Sequence, residues 1–310
     1  MSERIAYVNG EFVLESQAMV SIFDRGFVCG DGVYDVARSF NHRPFKLREH
    51  CERLMRSLKY THIRLDLSAA DLEKIALEVF NRNKHLLGPT DDYMIWIIVT
   101  RGLDVPSRNP LEAGKPTVVV YNRPPYFIRA KFYRIGAHVV LTSTRRTPPE
   151  CLDPKAKITN KMNHIQAEFE AKMVDPEAFP LLLDLEGNIA ESSTANFFFV
   201  RDGRVFTPRP KNILLGITRD TIFEIAPSVN VEITEGNFTP YDVYVADEAF
   251  LTTTSFCILP VSRFNGKVLS SNIPGPVTAR LIEAWNRSVG MDVVEQALSH
   301  MTPVERAALP

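Results

Sequence analysis

The sequence predicts an α+β protein of two lobes with its chemistry between them. Strand-like and helix-like stretches alternate along all 310 residues without a detectable repeat, and Asn122-Arg123-Pro124-Pro125 interrupts the pattern. Two prolines remove backbone donors and restrict their neighbours, so a connector is expected there rather than a helix interior. This divides the chain into a smaller N-terminal α/β domain (1–122), an interdomain linker (123–130) and a larger C-terminal domain (131–310). Each is long enough to bury a core of its own.

The elements follow in order. Ile5 to Val8 and Phe12 to Leu14 flank Asn9-Gly10, a pair suited to the positive backbone angles of a tight hairpin. Gly30-Asp31-Gly32 leads into the strand-like run Val33–Phe40. Lys46–Lys59 is expected to be an amphipathic helix with Leu47, Leu54 and Leu58 on one face, followed by a second helix at Ala69–Phe80. Tyr93–Thr100 and Thr117–Tyr121 are apolar, β-branched runs of buried-strand type. Beyond the prolines, Val139-Val140-Leu141 and Phe197-Phe198-Phe199-Val200 read as strands. Lys161–Met173, Arg219–Ile225 and Thr278–Val289 read as helices.

Composition narrows the function. Hydrophobic residues make up 45% and charged residues 24% of the chain, as in ordinary globular proteins. With 36 basic and 37 acidic side chains there is no basic surplus for nucleic acid. No 18-residue apolar run exists to span a bilayer. Met1-Ser2-Glu3-Arg4 passes directly into strand sequence without a signal-peptide core, so a cytoplasmic protein is expected. Cys29, Cys51, Cys151 and Cys257 are scattered and suit reduced thiols. Neither they nor His50 and His164 show metal-ligand spacing, and no metal site is expected.

Three segments could carry chemistry. Lys155, Lys157 and Lys161 cluster after Pro154. A desolvated lysine is neutral enough to form a Schiff base, but local sequence does not choose among the three. Glu191-Ser192-Ser193-Thr194-Ala195-Asn196 precedes an apolar strand, where a carboxylate could face a pyridinium nitrogen. Leu215-Gly216-Ile217-Thr218-Arg219-Asp220 opens a helix whose free N–H groups suit an anion. Thr252-Thr253-Thr254-Ser255 offers hydroxyls at a strand end. There is no Walker A motif, no GxGxxG and no GxSxG.

Taken in order, these segments resemble one family. His50-Cys51-Glu52-Arg53-Leu54, Lys157-Ile158-Thr159-Asn160 through Glu170-Ala171, Glu191 to Asn196-Phe197, Gly216 to Asp220, and Ala246-Asp247-Glu248 through Thr254 follow the pattern of the fold-type IV pyridoxal-phosphate enzymes. These are the branched-chain aminotransferases, D-amino-acid aminotransferases, (R)-amine transaminases and aminodeoxychorismate lyases. The likeness runs from Tyr7-Val8-Asn9-Gly10 to Gly275-Pro276-Val277-Thr278.

The resemblance implies a D-amino-acid-aminotransferase-like fold with pyridoxal 5′-phosphate between the domains, bound mainly by the C-terminal one. It makes Lys157 the lysine that holds the cofactor covalently and, once released, the general base and acid. It sets Glu191 on the pyridine nitrogen. Arg53, the amides of Ile217 and Thr218, and the Thr254 hydroxyl become the phosphate cup. It also implies a homodimer. Branched-chain members usually carry a tyrosine after the Asn-containing segment, near the cofactor's ring hydroxyl; here Lys161 and Met162 stand there.

For the substrate, Tyr34-Asp35-Val36-Ala37-Arg38 looks more like the D-amino-acid and (R)-amine branches. Tyr34, Val36 and Arg38 should share one side of a strand. Arg38 suits a carboxylate, or equally a salt-bridged or rim position. Arg108 stands in a loop that resembles the one closing over the family's pocket, although the histidine of an Arg-x-His carboxylate trap is missing. Ser255 and Phe256 should edge the pocket. The resulting expectation is a ping-pong transaminase that passes nitrogen from a D-amino acid or (R)-amine to a 2-keto acid. L-branched-chain amino acids are the alternative donors, followed by a lyase of the aminodeoxychorismate type. A vitamin B6 carrier without turnover is the alternative from outside enzymology.

Overall fold

The computed structural model describes residues 3–309, without the Ile128 side chain; Met1 and Ser2, part of the N-terminal reading, lie outside the described residues. The chain forms two compact units, Met1–Pro125 with Ala156–Lys161, and Tyr126–Lys155 with Met162–Pro310. The division falls at the prolines, and a short later segment groups with the first unit.

In the first unit, Asn9 and Gly10 adopt positive φ (50° and 106°) and join β1 (Ile5–Val8) to β2 (Glu11–Leu14). A short helix α1 (Arg25–Cys29) ends on Gly30 in the left-handed region. Then come β3 (Gly32–Phe40), β4 (Arg43–Phe45), α2 (Leu47–Tyr60), α3 (Ala69–Asn83), β5 (Met94–Thr100) and β6 (Thr117–Arg123). The strands form an antiparallel sheet in the order β2-β1-β6-β5-β3-β4. β6 runs past the expected end at Tyr121, pairing Asn122 with Ile95 and Arg123 with Met94. The ladder stops only at the prolines, which have no N–H to give it.

Strand alternation divides this sheet between two faces. Val33, Ala37, Ile95, Ile97, Val99, Val118 and Val120 pack with Leu47, Cys51, Leu54 and Leu58 of α2 and with Leu72, Ala76 and Val79 of α3. At ~1.5–3 kcal/mol for each fully buried large aliphatic side chain, this core is what holds the two helices to the sheet. Ser68 and Asp71 close a capping box at the start of α3.

The second unit contains α4 (Phe132–Ile135), β7 (Ala137–Leu141), α5 (Met162–Val174), β8 (Phe179–Leu181), β9 (Asn196–Arg201), β10 (Arg204–Pro208), α6 (Ile217–Ile225), β11 (Ile233–Gly236), α7 (Pro240–Tyr244), β12 (Glu248–Thr253), β13 (Cys257–Phe264), β14 (Lys267–Val268), α8 (Pro276–Val289), α9 (Val293–Ser299) and α10 (Pro303–Ala307). Its mixed sheet runs β11-β10-β9-β12-β13-β7-β8, with β14 on β13. β9 is buried on both faces, which explains its unbroken apolar run. Phe197 and Phe199 enter one core, while Phe198 stacks on Phe250 of β12 at 4.9 Å. Glu248 caps α8 by accepting from the Val277 and Thr278 amides and the Thr278 hydroxyl (2.9, 2.9 and 2.7 Å). No helix among the described residues is long and apolar enough to cross a membrane.

Candidate active site

The placement of Lys157 follows from an open strand edge. β4 pairs only with Arg38, Ser39 and Phe40, leaving the first half of β3 uncovered on that side. Residues 157–159 fill the gap: the Tyr34 amide donates to the Lys157 carbonyl and the Thr159 amide to the Gly32 carbonyl (both 2.9 Å), with Ile158 opposite Val33. The Lys157 amide donates to Ser57 Oγ of α2 at 3.0 Å. Lys157 Nζ then lies 4.7 Å and Lys161 Nζ 5.4 Å from the centre of the Tyr34 ring.

The same corner holds a buried charge network. Asp35, fully buried, accepts from Arg53 Nε and Nη2 (2.9 and 2.8 Å) and from His50 Nδ1 (2.7 Å). Burial alone would raise the Asp35 carboxyl, but Arg53 and His50 outweigh it and hold it well below the usual carboxylate range. Burial pushes His50 down, with Arg53 and Lys157 adding to that against the pull of Asp35. His50, Arg53 and Ser57 occupy α2 at intervals of three and four, beside its apolar stripe.

Lys157 is likewise lowered, first by burial and then by the Lys161 and Arg53 charges, which outweigh Tyr34 and Asp35. The Tyr34 hydroxyl, which burial would raise, lies below its ordinary value because both lysines sit against it. This is the desolvated lysine that an amine nucleophile or base requires.

Tyr34, Val36 and Arg38 alternate onto the sheet face opposite the helices. There Tyr34 stacks on Trp96 (5.7 Å) and Trp96 on Tyr121 (5.8 Å), a wall of three rings. Arg38 is only 2% exposed and lies over the Phe40 ring at 4.7 Å. Arg108 is exposed in its loop with φ +54°. That loop begins at Gly102, where φ is +93° and a Cβ would stand 2.1 Å from the Lys115 carbonyl oxygen, so only glycine fits.

In the second unit Glu191 is buried and held from three directions. Its Oε1 accepts from Arg146 Nε at 2.8 Å; its Oε2 accepts from the Leu214 amide at 2.9 Å and from Asn196 Nδ2 at 3.3 Å. Asn196 Nδ2 also donates to the Leu214 carbonyl, tying the carboxylate to the loop that enters α6. At the helix start Gly216 offers no side-chain cap, and the buried Ile217 and Thr218 amides have no acceptor among the described residues. A Cβ on Gly216 would lie 2.2 Å from Asn196 Oδ1.

Thr254 and Ser255 stand partly exposed in the turn between β12 and β13, whose last pair is Thr253 with Cys257. Phe256 follows a different course: its ring is core, edge-on to Phe179 at 6.1 Å, while its carbonyl accepts from Tyr133 Oη.

Several contributors had no signal in the sequence. Asp35, the partner of both His50 and Arg53, is far from them in the chain and meets them only through the packing of β3 on α2. Arg146, the partner of Glu191, lies 45 residues before it. Thr252 Oγ1 is buried without a partner among the described residues, one residue before the end of β12 and two before Thr254 in the turn. Among the described residues no group of His, Cys, Asp and Glu could hold a metal ion.

The chain as a whole is similar to known proteins. Residues 32–264 match the family model described as amino-transferase class IV. The chain is 34% identical over 283 residues to a putative branched-chain-amino-acid aminotransferase of Methanocaldococcus jannaschii, covering 90% of this chain and 94% of that one. It is 30% identical over 287 residues to a D-alanine aminotransferase of Staphylococcus aureus strain MSSA476, covering 91% and 97%. Among solved structures, the T.th. branched-chain amino acid aminotransferase complexed with N-(5′-phosphopyridoxyl)-L-glutamate superposes with a TM-score of 0.83 at 29% identity, covering 94% and 95%. The same enzyme has been solved with pyridoxamine 5′-phosphate. The match of both fold and sequence over nearly the whole chain makes this protein a member of the class IV aminotransferases, with their mixed α/β two-sheet architecture.

Proposed function

We propose that the chain is a pyridoxal 5′-phosphate-dependent transaminase that takes nitrogen from a D-amino acid or (R)-amine and gives it to a 2-keto acid in a ping-pong cycle. The observation that carries this reading is the desolvated Lys157 amine beside Tyr34, on a family scaffold whose solved relative holds a phosphopyridoxyl group. The residues present suit that cofactor. Amides of the buried residues Ile217 and Thr218, without an acceptor among the described residues, suit a phosphate, and the Thr254 hydroxyl and the unpartnered Thr252 Oγ1 offer further donors. Glu191, fixed by Arg146, Asn196 and the Leu214 amide, keeps lone pairs for a ring N–H. Arg53 belongs to the phosphate cup by resemblance, but two of its donors are engaged by Asp35, so it serves the site at least as much by holding β3 against α2.

Bound pyridoxal 5′-phosphate supplies a carbonyl for the donor's nitrogen and a ring that accepts the electron pair left at the donor carbon. Lys157 supplies the base: its neutral Nζ takes a proton from the donor's Cα and later returns one. Glu191 holds a proton on the ring nitrogen. The Tyr34-Trp96-Tyr121 wall suits an apolar donor group, and Arg38 on the same sheet face supports a donor or acceptor carboxylate. Arg108 would reach the substrate from its exposed loop, and Ser255 from the β12–β13 turn. An L-branched-chain donor is the second reading, favoured by the 34% identical archaeal relative.

Titrating the visible absorption of the loaded protein with D-alanine, L-leucine and (R)-1-phenylethylamine tests the reading. Conversion by D-alanine or the (R)-amine alone is expected. Conversion by L-leucine alone replaces the donor class. Pyruvate release from an amino-deoxychorismate substrate without an acceptor marks a lyase, and a spectrum indifferent to every amine marks a carrier.

The functional unit we propose is a homodimer. Met19, Ile22, Phe23 and Phe27 expose two thirds or more of their surface on one short segment, Met19 76% and Phe27 75%. That segment is pinned beneath by Asp24, which accepts from Thr100 Oγ1, Thr117 Oγ1 and the Gly26 amide. A rigid apolar surface of this kind suits a second copy. Phe27→Asp should lower the mass measured by light scattering to that of one chain.

A further inference from the structure

Two amines converge on one phenol in the first unit. Lys157 and Lys161, four residues apart, both lie over the Tyr34 ring (4.7 and 5.4 Å from its centre), and the charges of both lower its hydroxyl. Lys157 is tethered by its backbone to β3 and to Ser57, so its stem cannot withdraw. Lys161 belongs to the same inserted segment, which Thr159 fastens through its hydroxyl to the Gly30 and Gly32 carbonyls (3.0 and 3.1 Å). Two like charges are therefore held close together by covalent geometry rather than by mutual attraction.

We propose that Lys161 is a positioning residue for Lys157: lying against the same Tyr34 ring, it orients the reactive amine and sets a positive charge beside it, favouring its neutral form. This rests on the reading of Lys157 as the cofactor lysine. The charged groups facing Lys157 within the unit are Tyr34 and Asp35 of β3, His50 and Arg53 of α2, and Lys161 of its own segment. Asp35 is committed to Arg53 and His50 and cannot neutralise both lysines. With both amines protonated and Tyr34 neutral, two positive charges lie against one ring. Loss of a proton from Tyr34 or from Lys157 relieves that repulsion, so these two groups titrate as a coupled pair beside the Lys161 charge. The lowered positions of Tyr34 and Lys157 agree with this. Lys161 thus does by charge what burial alone would have to do in its absence.

The test uses the full-length chain in two states. Borohydride reduction after loading with pyridoxal 5′-phosphate, followed by peptide mass mapping, locates the attachment lysine. Competitive acetylation of the chain loaded with pyridoxamine 5′-phosphate, across about pH 6 to 10, then gives the titration midpoint of the free Lys157 amine. Lys161→Met should raise that midpoint by about one unit, cutting the neutral fraction about tenfold at neutral pH. Lys161→Arg should restore the wild-type midpoint, and Tyr34→Phe should lower it by removing the counter-charge. If Lys161→Met does not fold, Lys161→Gln carries the same expectation. Attachment at Lys157 with one midpoint in wild type, Lys161→Met and Lys161→Arg overturns this inference alone. Attachment at another lysine, or none, overturns the functional reading and the inference with it.

Discussion

The surroundings of Lys157 and of Glu191 are built on opposite plans. Around Lys157 the first unit gathers Tyr34, Asp35, His50, Arg53 and Lys161, all titratable or charged and each altering its neighbours. Around Glu191 the second unit uses one ion pair, one side-chain amide and backbone groups at a loop and a helix start. A base must change its protonation during a cycle, and a network of coupled groups lowers the Lys157 amine toward that change. A group that only orients a ring and a phosphate gains from partners that never titrate. Sensitivity to pH and rigidity thus reside in separate regions of the chain.

The greatest loss is expected in the first region. Lys157→Ala should abolish covalent cofactor attachment and lower transamination by about 10³-fold or more. Lys161→Ala should keep the attachment at Lys157; reduced-adduct mass mapping separates the two. In the second region, Glu191→Gln should lower kcat by about 10²-fold; it also leaves buried Arg146 without its counter-ion and turns an amide NH2 toward donors, so the melting temperature should fall as well. Equal activity would show that the carboxylate's charge is not used.

Asp35→Asn probes the contrast through stability. It leaves Arg53 buried without its counter-ion and should cost about 3–5 kcal/mol in urea unfolding. The folded Asp35 carboxyl lies well below the unfolded value of about 3.9. Its contribution is therefore complete above about pH 4 and is lost as the pH falls further. Wild type should lose stability in that range more steeply than Asp35→Asn. The mildest change belongs to Gly216→Ala. Its Cβ would meet Asn196 Oδ1 and must shift the helix start, weakening cofactor affinity by about tenfold in a fluorescence titration with little change in pH profile.

Much of this was legible in the sequence because local periodicity encodes it. The hairpin at Asn9-Gly10, the α2 stripe and the Tyr34, Val36, Arg38 alternation all follow from spacing along one element. Lys157, Glu191 and Gly216 stand out in the sequence through the order in which their motifs occur. Their partners do not. Asp35 with Arg53, Arg146 with Glu191 and Lys161 with Tyr34 are contacts across elements, and no pattern within either segment marks them. Phe256 shows the reverse failure: its position beside Thr254 suggested a pocket rim, but a large aromatic ring finds more burial in the core against Phe179.

The segment that fills the edge of β3 also matters during synthesis. Residues 1–125 leave the ribosome with the Gly32–Tyr34 backbone unmatched on one side, and it stays so until Thr159 has emerged. During that interval the nascent chain carries a bare strand edge able to recruit any extended peptide. The stretch bearing Lys157 is thus also the piece that seals the first unit. A chain cut before residue 156 would lose Lys157 and its protection from aggregation together.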